Sequence, residues 1–101
     1  MTNFTSTALL TDMYELTMVD SAMKSGTADR ASVFEVFGRR LPGRRRYGVV
    51  AGTGRVLEAL ENFRFTEAEV DYVRAADIVS DETIEWLANY EFKGDIYGYT
   101  E

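Results

Sequence analysis

An α/β or α+β fold is predicted, because the patterns along the chain run helix, two strands, three helices, strand. One stretch, Met13, Leu16, Val19 and Met23, repeats apolar residues at helical spacing. Another, ASVFEVFG at 31–38, is rich in Val and Phe and is followed by a Pro-Gly turn and by YGVVA at 47–51. With 101 residues, 46% hydrophobic and 28% charged, the chain suits one globular domain over 1–101 rather than a disordered tail or a fibrous repeat.

Each element has a local reason. Residues 1–10 form an arm in which Thr and Ser alternate with Phe4 and the pair Leu9-Leu10. Asp12 is a suitable N-cap, and Glu15 three residues on makes a capping-box-like pair. Gly26 is the natural stop. In the strand expected at 31–38, Val33, Glu35 and Phe37 face one way, Phe34 and Val36 the other. RRLPGRRR then joins it to the strand at 47–51, giving a small antiparallel sheet with an Arg-rich hairpin. Gly52-Thr53-Gly54 opens a helix with a buried stripe of Val56, Leu57, Leu60 and Phe63. Thr66 and Glu69 form a T-x-x-E capping box that opens a helix with Val70, Val73 and the pair Ala75-Ala76. A further helix from Ser80 or Asp81 buries Ile84, Leu87 and Ala88, with Trp86 and Tyr90 on its flank. DIYGYT at 95–100 reads as a last strand with nothing after it, as expected of the N-terminal piece of a longer protein.

Composition limits the chemistry. There is no cysteine, which removes disulfides and thiolate sites, and no histidine, which removes the commonest general base and metal ligand. No apolar run approaches the roughly 18 residues of a membrane span, and MTNFTSTALL lacks the basic start of a signal peptide. The net charge of −6 is unevenly spread. Residues 30–55 hold seven arginines against Glu35 alone, while 56–101 hold twelve acids against Arg64, Arg74 and Lys93. An acidic chain is a poor generic nucleic-acid binder, and the basic middle is where an anion would go.

Four features invite a functional reading, each beside a plainer one. Gly52-Thr53-Gly54 is a strand-to-helix turn or a phosphate cradle; the dinucleotide fingerprint fails because its third glycine falls on Leu57. Arg39, Arg40, Arg44, Arg45 and Arg46 form either a solvated loop or a bidentate phosphate site, with Arg39 and Arg40 favoured because they leave the strand directly. The later carboxylates, Glu58, Glu61, Glu67, Glu69, Asp71 and Glu85, fit solvated faces, with no isolated acid–base pair among them. Tyr14 is either core or a flat face for stacking an aromatic ligand at a helix end that favours anions.

LLTDMYELTM at 9–18 resembles the opening motif of the nicotinate phosphoribosyltransferases. FEVFGRRLP at 34–42 and YGVVAG at 47–52 resemble the segments that follow it, so the likeness covers essentially the whole chain. The resemblance implies the N-terminal portion of a type II phosphoribosyltransferase whose α/β barrel lies further along. It implies a cytoplasmic, NAD-salvage enzyme that joins nicotinate to phosphoribosyl pyrophosphate with coupled ATP hydrolysis and Mg2+. A homodimer with shared sites is implied, with no nucleic-acid or membrane partner. By the same resemblance Tyr14 stacks on the pyridine ring across the dimer, Asp12 lies beside that site, and Arg39 contacts phosphate. No catalytic residue and no metal ligand is expected in this piece, which alone is expected to be inactive and to bind no cofactor. The competing readings are a non-catalytic dimerisation module with an anion-binding Arg loop, and a nucleotide binder built on the Gly52-Thr53-Gly54 turn.

Overall fold

In the computed structural model, residues 6–99 are described. They form four helices: α1 (Met13–Ser25), α2 (Thr53–Glu61), α3 (Glu67–Ala76) and α4 (Asp81–Ala88). Phe4 of the expected arm and Thr100 of the expected last strand lie outside the described residues.

The expected α/β class is overturned: among the described residues there is no strand and no sheet. Residues 31–38, 47–51 and 95–99 have no regular structure. The Pro-Gly turn itself forms, with the Arg45 N–H donating to the Pro42 carbonyl at 3.2 Å and Gly43 at φ 60°. Its two legs do not pair. β-propensity expresses a fit to a pleated, half-buried surface, and a lone two-stranded hairpin is marginal in water. Here no layer covers the legs, so Val and Phe have nothing to pack against.

The helix boundaries follow local chemistry more closely. Asp12 is the N-cap of α1, extended at φ −84° and ψ 155°, and its carbonyl accepts the Glu15 N–H at 3.2 Å. Its carboxylate makes no cap hydrogen bond, so the expected Asp12–Glu15 pair is not formed. Gly26 closes α1 in the left-handed region at φ 76°, which lets the Thr27 N–H reach the Ala22 carbonyl at 2.8 Å. The capping box of α3 is complete: Glu69 N–H donates to the Thr66 hydroxyl, and Thr66 N–H donates to Glu69 Oε1 at 2.8 Å. Ser80 caps α4 by accepting the Thr83 N–H.

The core is made by three helices. Leu16 of α1, Val70 and Val73 of α3, and Ile84 and Leu87 of α4 are buried together. Leu9, Val19, Phe65, Ile78, Val79 and Trp86 pack around them. The expected stripe of α1 is therefore half right, since Met13 is exposed while Leu16 is buried. Helix α2 buries no residue. Val56 and Leu57 are exposed, and Ala75, Ala76 and Ala88 also face out. Phe63 is half-buried and makes edge-to-face contacts with Phe65 and Tyr90, at centroid separations of 5.9 and 5.8 Å.

Polar bonds tie the helices across long stretches of chain. Asp20 of α1 is 8% exposed, and its Oδ1 meets the N-terminus of α4. It accepts the Thr83 hydroxyl at 2.6 Å, the Ser80 hydroxyl at 2.8 Å and the Ser80 N–H at 3.0 Å. Lys24 reaches Oδ2 at 3.1 Å. The Thr83 hydroxyl, then the two Ser80 donors, and last Lys24 hold the Asp20 carboxyl far below the usual carboxylate range, against an opposing push from burial. Glu69 does similar work for the N-terminal segment, accepting the Ser6 hydroxyl at 2.6 Å. Burial pushes its carboxyl up, but donors from Ser6, Thr66 and Leu9 outweigh this and hold it below its ordinary value. Trp86 Nε1 donates to Asp29 at 3.1 Å, pinning the chain just after α1.

Two outcomes follow. Ile84→Ala is expected to cost about 2–5 kcal/mol in chemical denaturation, while Leu57→Ala on α2 stays within about 0.5 kcal/mol. Similar losses at the two sites would show that α2 belongs to the core. The Asp20 carboxyl titrates lower when folded than its unfolded value of about 3.9, so its contribution is complete above that pH. It is lost as pH falls through the folded value. Thermal melts are expected to show the native chain losing stability relative to Asp20→Asn below about pH 4, with no such convergence at neutral pH.

Candidate functional site

Helix α1 has two unlike faces. Leu16, Val19 and Asp20 are turned to α3 and α4, while Met13, Tyr14 and Met18 face outward. Tyr14 is the second residue of the helix, in its first turn, and its side chain is 60% exposed. Met18 lies one turn on, where residues four apart share a face. The Tyr14 carbonyl accepts the Thr17 hydroxyl at 3.0 Å, a bond within the helix that leaves the ring free. A ring in this place has a fixed backbone beneath it, because the opposite face is held by Leu16 in the core and by Asp20 on α4.

Asp12 stands at the head of the same turn. Its carboxylate is exposed and unused in capping, which leaves an acceptor beside Tyr14. The unpaired N–H groups of the first turn carry partial positive charge there.

The third sequence candidate sits elsewhere. Arg39 is exposed, in a segment without regular structure, and among the described residues no hydrogen bond or ion pair joins it to Asp12 or Tyr14. The strand expected to aim Arg39 and Arg40 is not formed, so they and Arg44 to Arg46 are alike in being exposed and unscaffolded. The Gly52-Thr53-Gly54 turn does open a helix: Gly52 is its left-handed N-cap at φ 84°. The Thr53 hydroxyl donates to the Tyr99 carbonyl at 3.4 Å, tying α2 to the C-terminal segment.

The later carboxylates are mostly solvated, as their pattern suggested. Glu58, Glu61, Glu67, Asp71 and Glu85 are exposed, and Asp71 pairs with Arg74 at 3.0 Å. Glu69 departs from this through its bond to Ser6. Sequence reasoning missed the Asp20–Ser80–Thr83 cluster. A signal was present: Asp20 is four residues after Leu16, on the buried side of α1, where an acid needs a partner.

Fold and site together define a helical domain that offers an exposed aromatic ring on a rigid helix face, and elsewhere an exposed basic segment. The profile of the nicotinate phosphoribosyltransferase (NAPRTase) N-terminal domain matches residues 9–101. The chain therefore belongs to that family, as its N-terminal domain. Among curated relatives, nicotinate phosphoribosyltransferase pncB1 of Mycobacterium tuberculosis is 53% identical over 93 residues, covering 92% of this chain and 20% of the relative. The pncB2 protein of the same organism is 44% identical over 97 residues, covering 93% and 20%. The Bacillus subtilis nicotinate phosphoribosyltransferase is 38% identical over 69 residues, covering 68% and 14%. The chain thus spans about a fifth of the length of these Mycobacterium tuberculosis relatives. No solved structure gives a significant match. No helix is long and apolar enough to cross a membrane among the described residues.

An exposed ring adds little to folding. Tyr14→Ala is expected to leave the stability of the isolated chain within about 0.5 kcal/mol of native, measured by urea unfolding. A loss of several kcal/mol would make Tyr14 a core residue.

Proposed function

We propose that this chain forms the N-terminal portion of an enzyme that joins nicotinate to phosphoribosyl pyrophosphate, releasing pyrophosphate and forming nicotinate mononucleotide. ATP hydrolysis is coupled to that step, which serves NAD salvage in the cytoplasm. The observation that carries the reading is the exposed ring of Tyr14, in the first turn of a helix fixed from behind. Stacking a flat pyridine requires a ring that is bare on one face and costs little to order, and this placement meets both needs.

Asp12 supplies an acceptor for a substrate hydroxyl, or for the positive charge that grows on the ribose as its bond to pyrophosphate breaks. Arg39 binds a phosphate of the second substrate, since a guanidinium matches phosphate oxygens two at a time. Tyr14 acts across a homodimer, in a site shared by two subunits. Neutralising the departing pyrophosphate calls for cations beyond this segment, so the isolated chain is expected to be inactive. Among the described residues no group of three or more acidic or other metal-binding side chains is placed to hold an ion. No step through Mg2+ or ATP is assigned to this segment; both belong to the proposal for the whole enzyme.

Kinetics of a full-length family member carrying this segment test the reading. Tyr14→Ala is expected to raise the nicotinate KM roughly 2- to 12-fold, the loss of about 0.5–1.5 kcal/mol of stacking. Tyr14→Phe keeps the ring and should change it little. Arg39→Ala should weaken phosphoribosyl pyrophosphate binding by about 1–3 kcal/mol with a smaller effect on nicotinate. Unchanged nicotinate kinetics in both Tyr14 variants would defeat the reading, and equal damage from both would transfer the role to the hydroxyl.

A further inference from the structure

Helix α1 starts without the side-chain cap that secures α3 and α4. Thr66 and Ser80 each accept an N–H of their own helix, whereas the Asp12 carboxylate makes no such bond. Helix ends fray, and the first N–H groups have no partner within the helix. The first buried residue of α1 is Leu16, two residues beyond Tyr14. Whatever steadies the first turn must therefore come from the chain before it. Residues 6–10 supply that fastening. The Ser6 hydroxyl donates to Glu69 Oε1 at 2.6 Å, with the Arg64 carbonyl 3.2 Å away as a second acceptor. The same hydroxyl accepts the Ala8 N–H at 3.3 Å. Ala8 is buried, Leu9 packs on the core, and the Leu10 N–H donates to the Thr7 carbonyl at 3.0 Å.

Glu69 can hold this strap because its own position is already fixed. Its Oε1 also accepts the Thr66 N–H at 2.8 Å, closing the capping box of α3. A free glutamate would lose rotamer freedom on gripping Ser6, but here the box has already taken that freedom. We infer that Ser6 and Glu69 are positioning residues for nicotinate: they latch the strap 6–10, which sets the first turn of α1 and with it the ring of Tyr14. This role rests on the stacking reading of Tyr14, whereas the latch itself rests on geometry alone.

A full-length family member carrying residues 1–101 of this chain tests both parts. Ser6→Ala is the clean variant, since it breaks the latch and leaves the Thr66–Glu69 box complete. In hydrogen exchange, the Leu10 and Glu15 amides are expected to exchange about fivefold faster or more, with Val73 and Leu87 in the core unchanged. The nicotinate KM is expected to rise about two- to fivefold, with kcat within about twofold of native. Glu69→Ala should do the same and also speed exchange at the start of α3. Glu69→Gln keeps an oxygen for both donors and should behave as native. In a Tyr14→Ala background, Ser6→Ala should add nothing to the nicotinate KM. Unchanged exchange at Leu10 and Glu15 in Ser6→Ala would overturn the latch, and faster exchange throughout the core would make Ser6 a general stability residue and overturn it too. Faster local exchange with an unchanged nicotinate KM, or an equal KM rise in the Tyr14→Ala background, would overturn the positioning role. If Tyr14→Ala alone leaves nicotinate kinetics native, the stacking reading fails and the positioning role with it, while the exchange result still decides the latch.

Discussion

Asp20 carries a charge into a nearly closed position, and a buried charge is costly unless donors meet it. Three of them converge on one oxygen: the hydroxyls of Thr83 and Ser80 and the Ser80 N–H. The same Ser80 hydroxyl caps α4 by accepting the Thr83 N–H, so one cluster satisfies the carboxylate and starts the helix. The partners are 60 and 63 residues from Asp20 along the chain, and their meeting sets α1 against α4. Helix α3 then closes the apolar side through Val70 and Val73. The bond to Lys24 adds little, since that side chain is 70% exposed and its charge is screened.

This arrangement gives one helix a buried face and a free one. The buried face of α1 is committed to Leu16 and Asp20, which frees Met13, Tyr14 and Met18 for a different surface. Rigidity at Tyr14 is therefore inherited from contacts on the far side of the helix. Its neighbour Asp12 contributes to the helix through its carbonyl, not its side chain, and so keeps an unspent carboxylate at the same end. The N-terminal segment is tied down separately, through Ser6 to Glu69 and to the Arg64 carbonyl.

The region between α1 and α2 follows a different rule. Its first residues are held by the Thr27 N–H on Ala22 and by Trp86 on Asp29, but from Ala31 to Arg46 it is exposed except at Leu41, with a turn at Pro42–Arg45. Helix α2 shares this character, with a clear apolar stripe in sequence and no buried residue in structure. Its ties to the rest are slight, one of them the Thr53 hydroxyl on Tyr99.

The sequence by itself determined what depends on neighbours in the chain. The start of α1 at Asp12, its stop at Gly26, the capping box at Thr66 and Glu69 and the Ser80 cap were all legible, because each is closed by atoms a few residues away. So was the family, from the motif around Tyr14. Tertiary structure decided the rest. Periodicity identified Val56 and Leu57 as an apolar stripe, but burial needs an opposing surface, and none covers them here. Alternation in ASVFEVFG indicated strand preference, but a strand also needs a partner for its backbone. Asp20 lies four residues after Leu16 on the buried side of α1, but only the tertiary structure brings Ser80 and Thr83 to it, from 60 and 63 residues away.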